Sequence, residues 1–250
     1  MPQIIAAAAA PNKTVTSDNI KSVYSKLRTA KAPVFKGIEG LAINQRQQMN
    51  GLELLARVED KTVPLVFFDP QYRTVLDKQA YGNEGARQKH RASLPQMPED
   101  IIAEFLSEIE RVLTPQGHLM LWVDKFIVCS GLESLMAGTE LNLVDMVTWN
   151  KKRIGMGYRT RRTAEYLVIF QKSPVRAKGV WCLHNIPDVW DEKITDRSHS
   201  HSKPVELQKQ LIEAVTNPGD LVIDPAAGSF SVMAAAMAQG RRFLGCDLLG

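Results

Sequence analysis

Cysteine is scarce in this sequence: three residues in 250, Cys129, Cys182 and Cys246. An odd, scattered set indicates no disulfide framework. No apolar run reaches the roughly 18–20 residues that cross a bilayer, so no membrane partner is expected. The first residues, MPQIIAAAAAPNKT, hold an apolar patch without the basic residue that precedes the core of a secretory leader, and a cytoplasmic location is expected. No internal repeat and no clear linker divide the chain. Two nucleotide signatures are also missing. There is no G-x-G-x-x-G turn, and no glycine-rich loop ends in the lysine that grips a polyphosphate.

What is present is a chain able to bury a core. Hydrophobic residues make up 44% and charged residues 23%, which argues against global disorder. The net charge of +4 permits a polyanionic partner without requiring one. Residues 1–45 read as a loosely packed tail and 46–250 as one domain. Residues 63–68 are almost entirely apolar, as suits a strand covered on both faces. From Glu99 onward Ile102, Phe105, Leu106, Ile109 and Val112 recur at helical spacing, and T-P-Q-G is expected to end that helix before the strand HLMLWV. Residues 126–138 read as a helix. LNLVDMVTW, AEYLVIFQK, LVID and RFLGCD read as strands, and KPVELQKQLIEAV and SVMAAAMAQG as helices. The alternation predicts an α/β fold: a doubly wound, mostly parallel sheet flanked by helices, Rossmann-like in plan.

Two strand ends share one design. LVFFDPQY and LVIDPAAGSF each run from a buried strand into Asp-Pro and a loop. Ligands of open α/β sheets bind at the carboxyl ends of strands. A carboxylate there is costly to bury unless something pairs with it. Singly, each Asp-Pro reads equally well as a plain turn after a strand. Around the second, Ala226, Ala227 and Gly228 let a ligand approach the backbone, and Asp247 after the next strand suits ribose hydroxyls. Together with the missing phosphate signatures, this favours a nucleoside without a polyphosphate.

The ordered set FFDPQY, SHSKPVELQKQLIEAV, LVIDPAAGSF and FLGCDL resembles the amino-methylating DNA methyltransferases of the β class, whose catalytic motif precedes their S-adenosylmethionine motif, a circularly permuted order. WNK at 149–151 and EYLVIFQK at 165–172 also fit, and the likeness runs from about residue 50 to the end. The resemblance implies a catalytic motif at Asp69, Pro70, Gln71 and Tyr72. It implies a cofactor site at Asp224, Pro225, Ala226, Gly228, Ser229, Phe230 and Asp247, with Ser202, Lys203 and Pro204 holding the methionine end of S-adenosylmethionine. Three positions depart from the family pattern. Gln71 replaces a second proline, Ala226 a phenylalanine and Phe230 a glycine, and Phe230 is expected to restore the lost aromatic contact. Asp at position 69 leans toward adenine N6, because related cytosine-N4 enzymes more often carry serine there.

Double-stranded DNA is the implied partner, with RNA open as a substrate and a nucleoid-associated location. An exocyclic amine is a poor nucleophile, and two acceptors aimed at its N–H groups, Asp69 and the Pro70 carbonyl, would reshape it. Tyr72 would stack on a base flipped out of the duplex. Two basic clusters are candidate DNA contacts: Arg87, Lys89 and Arg91 within a loop at 73–97, and Lys151, Lys152, Arg153, Arg159, Arg161 and Arg162 within a loop at 150–163, a run without an acid. Cys182, His184, His199 and His201 match no zinc spacing, so no metal is expected. Trp149, Trp181 and Trp190 read as packing residues. The region 173–201 is short for target recognition, and a short or relaxed site is expected. The alternatives are a cytosine-N4 enzyme and a non-catalytic binding subunit; a homodimer or partner subunit stays open.

Overall fold

The computed structural model describes residues 40–71, 97–155, 160–194 and 202–249. In chain order the elements are α1 (Gly51–Ala56), β1 (Val63–Phe68), α2 (Glu99–Val112), β2 (Leu113–Val123), α3 (Lys125–Ser130), β3 (Leu141–Asn150), β4 (Ala164–Lys172), β5 (Val189–Asp191), α4 (Val205–Val215), β6 (Leu221–Asp224), α5 (Ser231–Ala238) and β7 (Arg242–Gly245). The strands form one sheet in the order β5-β3-β4-β2-β1-β6-β7. Its pairings are parallel except where β4 runs antiparallel to both β2 and β3.

The apolar run VPLVFF is explained by cover on both sides. Val66 and Phe68 face a core shared with Leu54, Leu55, Ile102, Phe105 and Ile109 of α1 and α2. Leu65 and Phe67 face the opposite core, with Leu207, Leu211, Val232 and Phe243 from α4, α5 and β7. Phe68 stacks on Phe105 with ring centroids 4.9 Å apart. Because β1 lies between β2 and β6, residues that leave it at Asp69 sit centrally, at the carboxyl edge where the strand order reverses.

Two sequence expectations are corrected. T-P-Q-G does not separate helix from strand, since β2 begins directly at Leu113. The surplus residues form a bulge instead. Val63 pairs with Leu113 while Leu65 already pairs with His118. Gln116 takes φ of 67°, and a Cβ on Gly117 would lie 2.9 Å from the Thr114 carbonyl. The helix expected over 126–138 is confined to α3. Asp124 Oδ1 accepts from Phe126 N and Ile127 N, a cap worth about 1 kcal/mol. Gly131, at φ of 91°, then breaks the helix, and turns follow.

The N-terminal stretch from Asn44 runs along the β7 edge. Asn44 N donates to the Phe243 carbonyl, Met49 N to Asp247 O, and Asp247 N to Gln47 O. Asn50 then caps α1 through Leu52 N.

Candidate active site

The two Asp-Pro turns meet at the carboxyl edge. β1 and β6 are parallel neighbours, with Val66 opposite Ile223, so Asp69 and Asp224 leave adjacent strands on the same rim. Between them and β4 runs a chain of alternating charges. Lys203 Nζ lies 2.9 Å from Asp69 Oδ2 and 2.9 Å from Glu165 Oε2. The other oxygen of Glu165, Oε1, lies 2.7 Å from Lys151 Nζ. The ammonium of Lys203 sits 4.9 Å above the Trp122 ring, and that of Lys151 lies 5.8 Å from the Trp149 ring. The two indoles pack edge to face. Lys203 Nζ therefore has a hydrophobic floor and two anionic walls.

This arrangement fixes the protonation states. Burial alone would raise the Glu165 carboxyl, but Lys203 and Lys151 outweigh it and hold its pKa at about 2. Burial opposes the charge on Lys203, and Asp69 and Glu165 outweigh that in turn, so its pKa is raised. Lys203 uses one oxygen of Asp69. Among the described residues, Asp69 Oδ1 and the Pro70 carbonyl are left without partners.

Helix α4 positions Lys203. Pro204 is its cap residue and offers no side-chain acceptor. Glu192, just past β5, supplies one instead: its carboxylate accepts from Glu206 N and Leu207 N, each at 3.1 Å. A carboxylate at a helix N-terminus also meets the positive end of the helix dipole. Glu192 is held in turn by Trp190 Nε1 on its carboxylate and Trp149 Nε1 on its carbonyl. Trp149, Trp190 and Trp181 all pack against the core, as expected for packing residues.

The second turn is tight and buried. Asp224 Oδ1 accepts from Ala226 N at 3.1 Å, and Ala227 N donates to the Cys246 carbonyl. Asp224 has no ion-pair partner among the described residues. Burial pushes its pKa up to about 8; the Ala226 N–H opposes this, while the charges of Asp69 and Asp247 add to it. Gly228 has φ of 48°, and Gly228 and Ser229 are half-buried. A Cβ on Gly51 would fall 2.1 Å from the Pro225 carbonyl, so α1 abuts the turn with no room for a side chain. A Cβ on Gly245 would meet the Phe243 ring and the Asp224 carbonyl. Asp247, half-exposed beyond β7, accepts from Leu249 N.

Several placements differ from expectation. Phe230 does not offer its ring to the cleft. Its backbone takes the left-handed conformation (φ of 59°) at the start of α5, which turns the side chain inward. The ring is 2% exposed, packs edge to face on Phe243 and carries Arg46 over its outer side. Lys151 and Lys152 are not free cations. The acid-free run 151–162 meets acids from elsewhere: Glu165 for Lys151, and Asp191, 2.6 Å away, for Lys152. Arg153 and Arg161 are exposed and Arg162 half-buried against Phe126. They stand on an extension of the β3–β4 hairpin, tied by Lys151 N to Thr163 O and Gly155 N to Arg162 O. Because β3 is parallel to β5 and β4 antiparallel to β2, that hairpin projects from the same rim as Asp69. Tyr72, Arg87, Lys89, Arg91 and Arg159 lie outside the described residues. Gln71 contributes its carbonyl to Met97 N at 2.9 Å, which joins the two ends of segment 72–96.

Glu165 and Gly51 escape a reading of motifs. Glu165 stands at the head of an apolar strand and nothing local marks it as the partner of Lys203. Gly51 resembles any glycine near a helix start.

The family model described as a DNA methylase, covering N6 and N4 methyltransferases, matches residues 63–249. The chain belongs to this family. It is 55% identical over 209 residues to the type II methyltransferase M.HhaII of Haemophilus parahaemolyticus, covering 83% of this chain and 92% of that one. Among solved structures it is similar to M1.HpyAVI in complex with S-adenosylmethionine, with a TM-score of 0.57 and 16% identity over 81% of this chain and 92% of the other. It is also similar to the cytosine-N4-specific PvuII DNA methyltransferase, with a TM-score of 0.61 and 17% identity over 82% and 81% of the two chains. As an N6/N4 DNA methyltransferase, it uses S-adenosylmethionine as methyl donor. The turn after β6 fits such a donor: Ala226, Gly228 and Ser229 are small and half-buried, so the backbone beside Asp224 is within reach of a ligand.

Proposed function

We propose that this DNA methyltransferase acts on the exocyclic N6 amine of adenine in double-stranded DNA, at a short or relaxed target site. The observation that carries the reading is the state of Asp69. Its charge is balanced by Lys203 through Oδ2, while Oδ1 and the adjacent Pro70 carbonyl have no partner among the described residues.

The donor, when bound, supplies an electrophilic methyl group on a sulfonium. The residues of the chain prepare the acceptor. Asp69 Oδ1 and the Pro70 carbonyl each accept one N–H of the amine. That draws the nitrogen lone pair out of conjugation with the ring and steadies the positive charge that grows as the new N–C bond forms. The proton then lost from nitrogen passes to Asp69 or to water. Asp224 and the 225–229 turn hold the donor, with Asp247 toward its ribose. Lys203 bridges the two halves of the site, since it precedes the helix that packs against the donor turn and also touches Asp69.

Limited sequence readout is supported by the use made of residues 173–194. Trp181 and Trp190 pack on the core, and Glu192 caps α4, so much of this stretch serves the fold. The exposed Arg153 and Arg161 would supply phosphate contacts, which add affinity without sequence information.

The test is mass spectrometry of DNA digested after incubation with the enzyme and S-adenosylmethionine. N6-methyladenine is the expected product. N4-methylcytosine would reassign the base, because the same two acceptors also fit the cytosine amine. A methylation profile dominated by one strict site of six or more base pairs would overturn relaxed specificity.

A further inference from the structure

We propose that Glu165 is a positioning residue for methyl transfer: it holds Lys203 off the second oxygen of Asp69, so that oxygen remains available to the substrate amine. The inference rests on the proposed role of Asp69 and extends it to a residue on another strand.

The geometry points one way. Lys203 Nζ is equidistant, at 2.9 Å, from one oxygen of Asp69 and one of Glu165. Its side chain is 14% exposed, so water offers little alternative solvation. A poorly hydrated ammonium depends on the carboxylates around it to offset its lost hydration. With Glu165 present, Lys203 is drawn toward β4 and takes only Oδ2 of Asp69. Without that second anion, nothing opposes a slide toward Oδ1, the atom that must accept the amine N–H. Glu165 is itself prevented from turning away, because each of its oxygens is bound to a different lysine.

Charge count adds a second reason. Asp69, Lys203, Glu165 and Lys151 sum to zero. Removing the charge of Glu165 leaves two ammonium groups beside one carboxylate. The site then opposes the positive charge that develops on the attacked nitrogen. Lys151 stands at the base of the β3–β4 hairpin, so its part is to lock Glu165.

Glu165→Gln keeps the shape and deletes the charge. In single-turnover methylation of DNA with saturating cofactor, its rate should fall by roughly 10- to 100-fold. Equilibrium dissociation constants for S-adenosylmethionine and for DNA should stay within about threefold of wild type. The double variant Lys151→Met/Glu165→Gln restores neutrality and should recover part of the lost rate, a recovery that loss of packing would not give. Should Glu165→Gln fail to fold, Glu165→Asp serves: it keeps the charge but withdraws the carboxylate from Lys203, and should lower the rate by roughly threefold or more with binding intact. A wild-type single-turnover rate in the folded variant would overturn the proposal. So would a loss confined to cofactor affinity, which would make Glu165 part of the donor site. An inactive wild type would instead defeat the methyltransfer reading of Asp69, a distinguishable failure.

Discussion

Asp69 joins catalysis to the ion-pair chain, and its removal separates the two. Asp69→Ala deletes one amine acceptor while leaving Lys203 paired with Glu165. Methyl transfer should fall by at least about 100-fold, with cofactor affinity nearly unchanged, as measured by tritiated methyl transfer and equilibrium dialysis. Gly51 makes the converse case. A methyl group there would collide with the Pro225 carbonyl, so Gly51→Ala should cost roughly 1–3 kcal/mol of stability and weaken cofactor binding, read by denaturant melts and dialysis. The sequence made Asp69, Asp224 and Lys203 legible because chemistry that needs a strand-end carboxylate leaves a local mark, Asp-Pro after an apolar run. Glu165 left none. Its meaning depends on an antiparallel pairing that brings the head of β4 beside the end of β2, a relation between distant segments.

The β3–β4 hairpin is the element that divides the basic residues by role. Lys151 and Lys152 are taken up by Glu165 and Asp191, whereas Arg153 and Arg161 are exposed. Arg153→Ala and Arg161→Ala should each reduce the slope of log affinity against log salt by about 1 in DNA-binding titrations. Lys152→Ala should leave that slope unchanged. Counting charges along the run could not make this distinction, because the acids that claim two of the lysines come from β4 and β5. Element types were read well where periodicity was strong, as in β1, β4 and α4. They were read poorly where a single capped turn imitates a longer helix, as after Asp124, or where a proline-containing segment is absorbed into a strand by a bulge, as at Thr114–Gly117.

The whole molecule combines groups whose burial pulls stability in opposite directions with pH. His118 is buried, and desolvation lowers its pKa to about 4. The unfolded chain therefore takes up the proton first, and this contribution to stability is lost as pH falls from about 6.5 through 4. Glu165, held at about 2, is lost on the acid side below the ordinary carboxylate range. Asp224 acts in the other sense. With its pKa raised to about 8, it favours the native state at low pH, and that contribution fades as pH rises toward 8. Without cofactor, Asp224→Asn should therefore raise the melting temperature at pH 9 more than at pH 5, while weakening cofactor binding; scanning fluorimetry and dialysis measure the two effects. The doubly wound architecture was evident from alternating elements, but the reversed strand β4 was not, since strand direction has no signature in composition.

Gln71 and Met97 clasp the chain where it leaves the central strand and where it returns. Whatever sequence stands between those two residues starts and finishes at one anchor, the 2.9 Å bond from Met97 N to the Gln71 carbonyl. Selection, or an engineer, can therefore vary the sequence beyond Tyr72 without shifting the point at which the chain rejoins the seven-stranded platform.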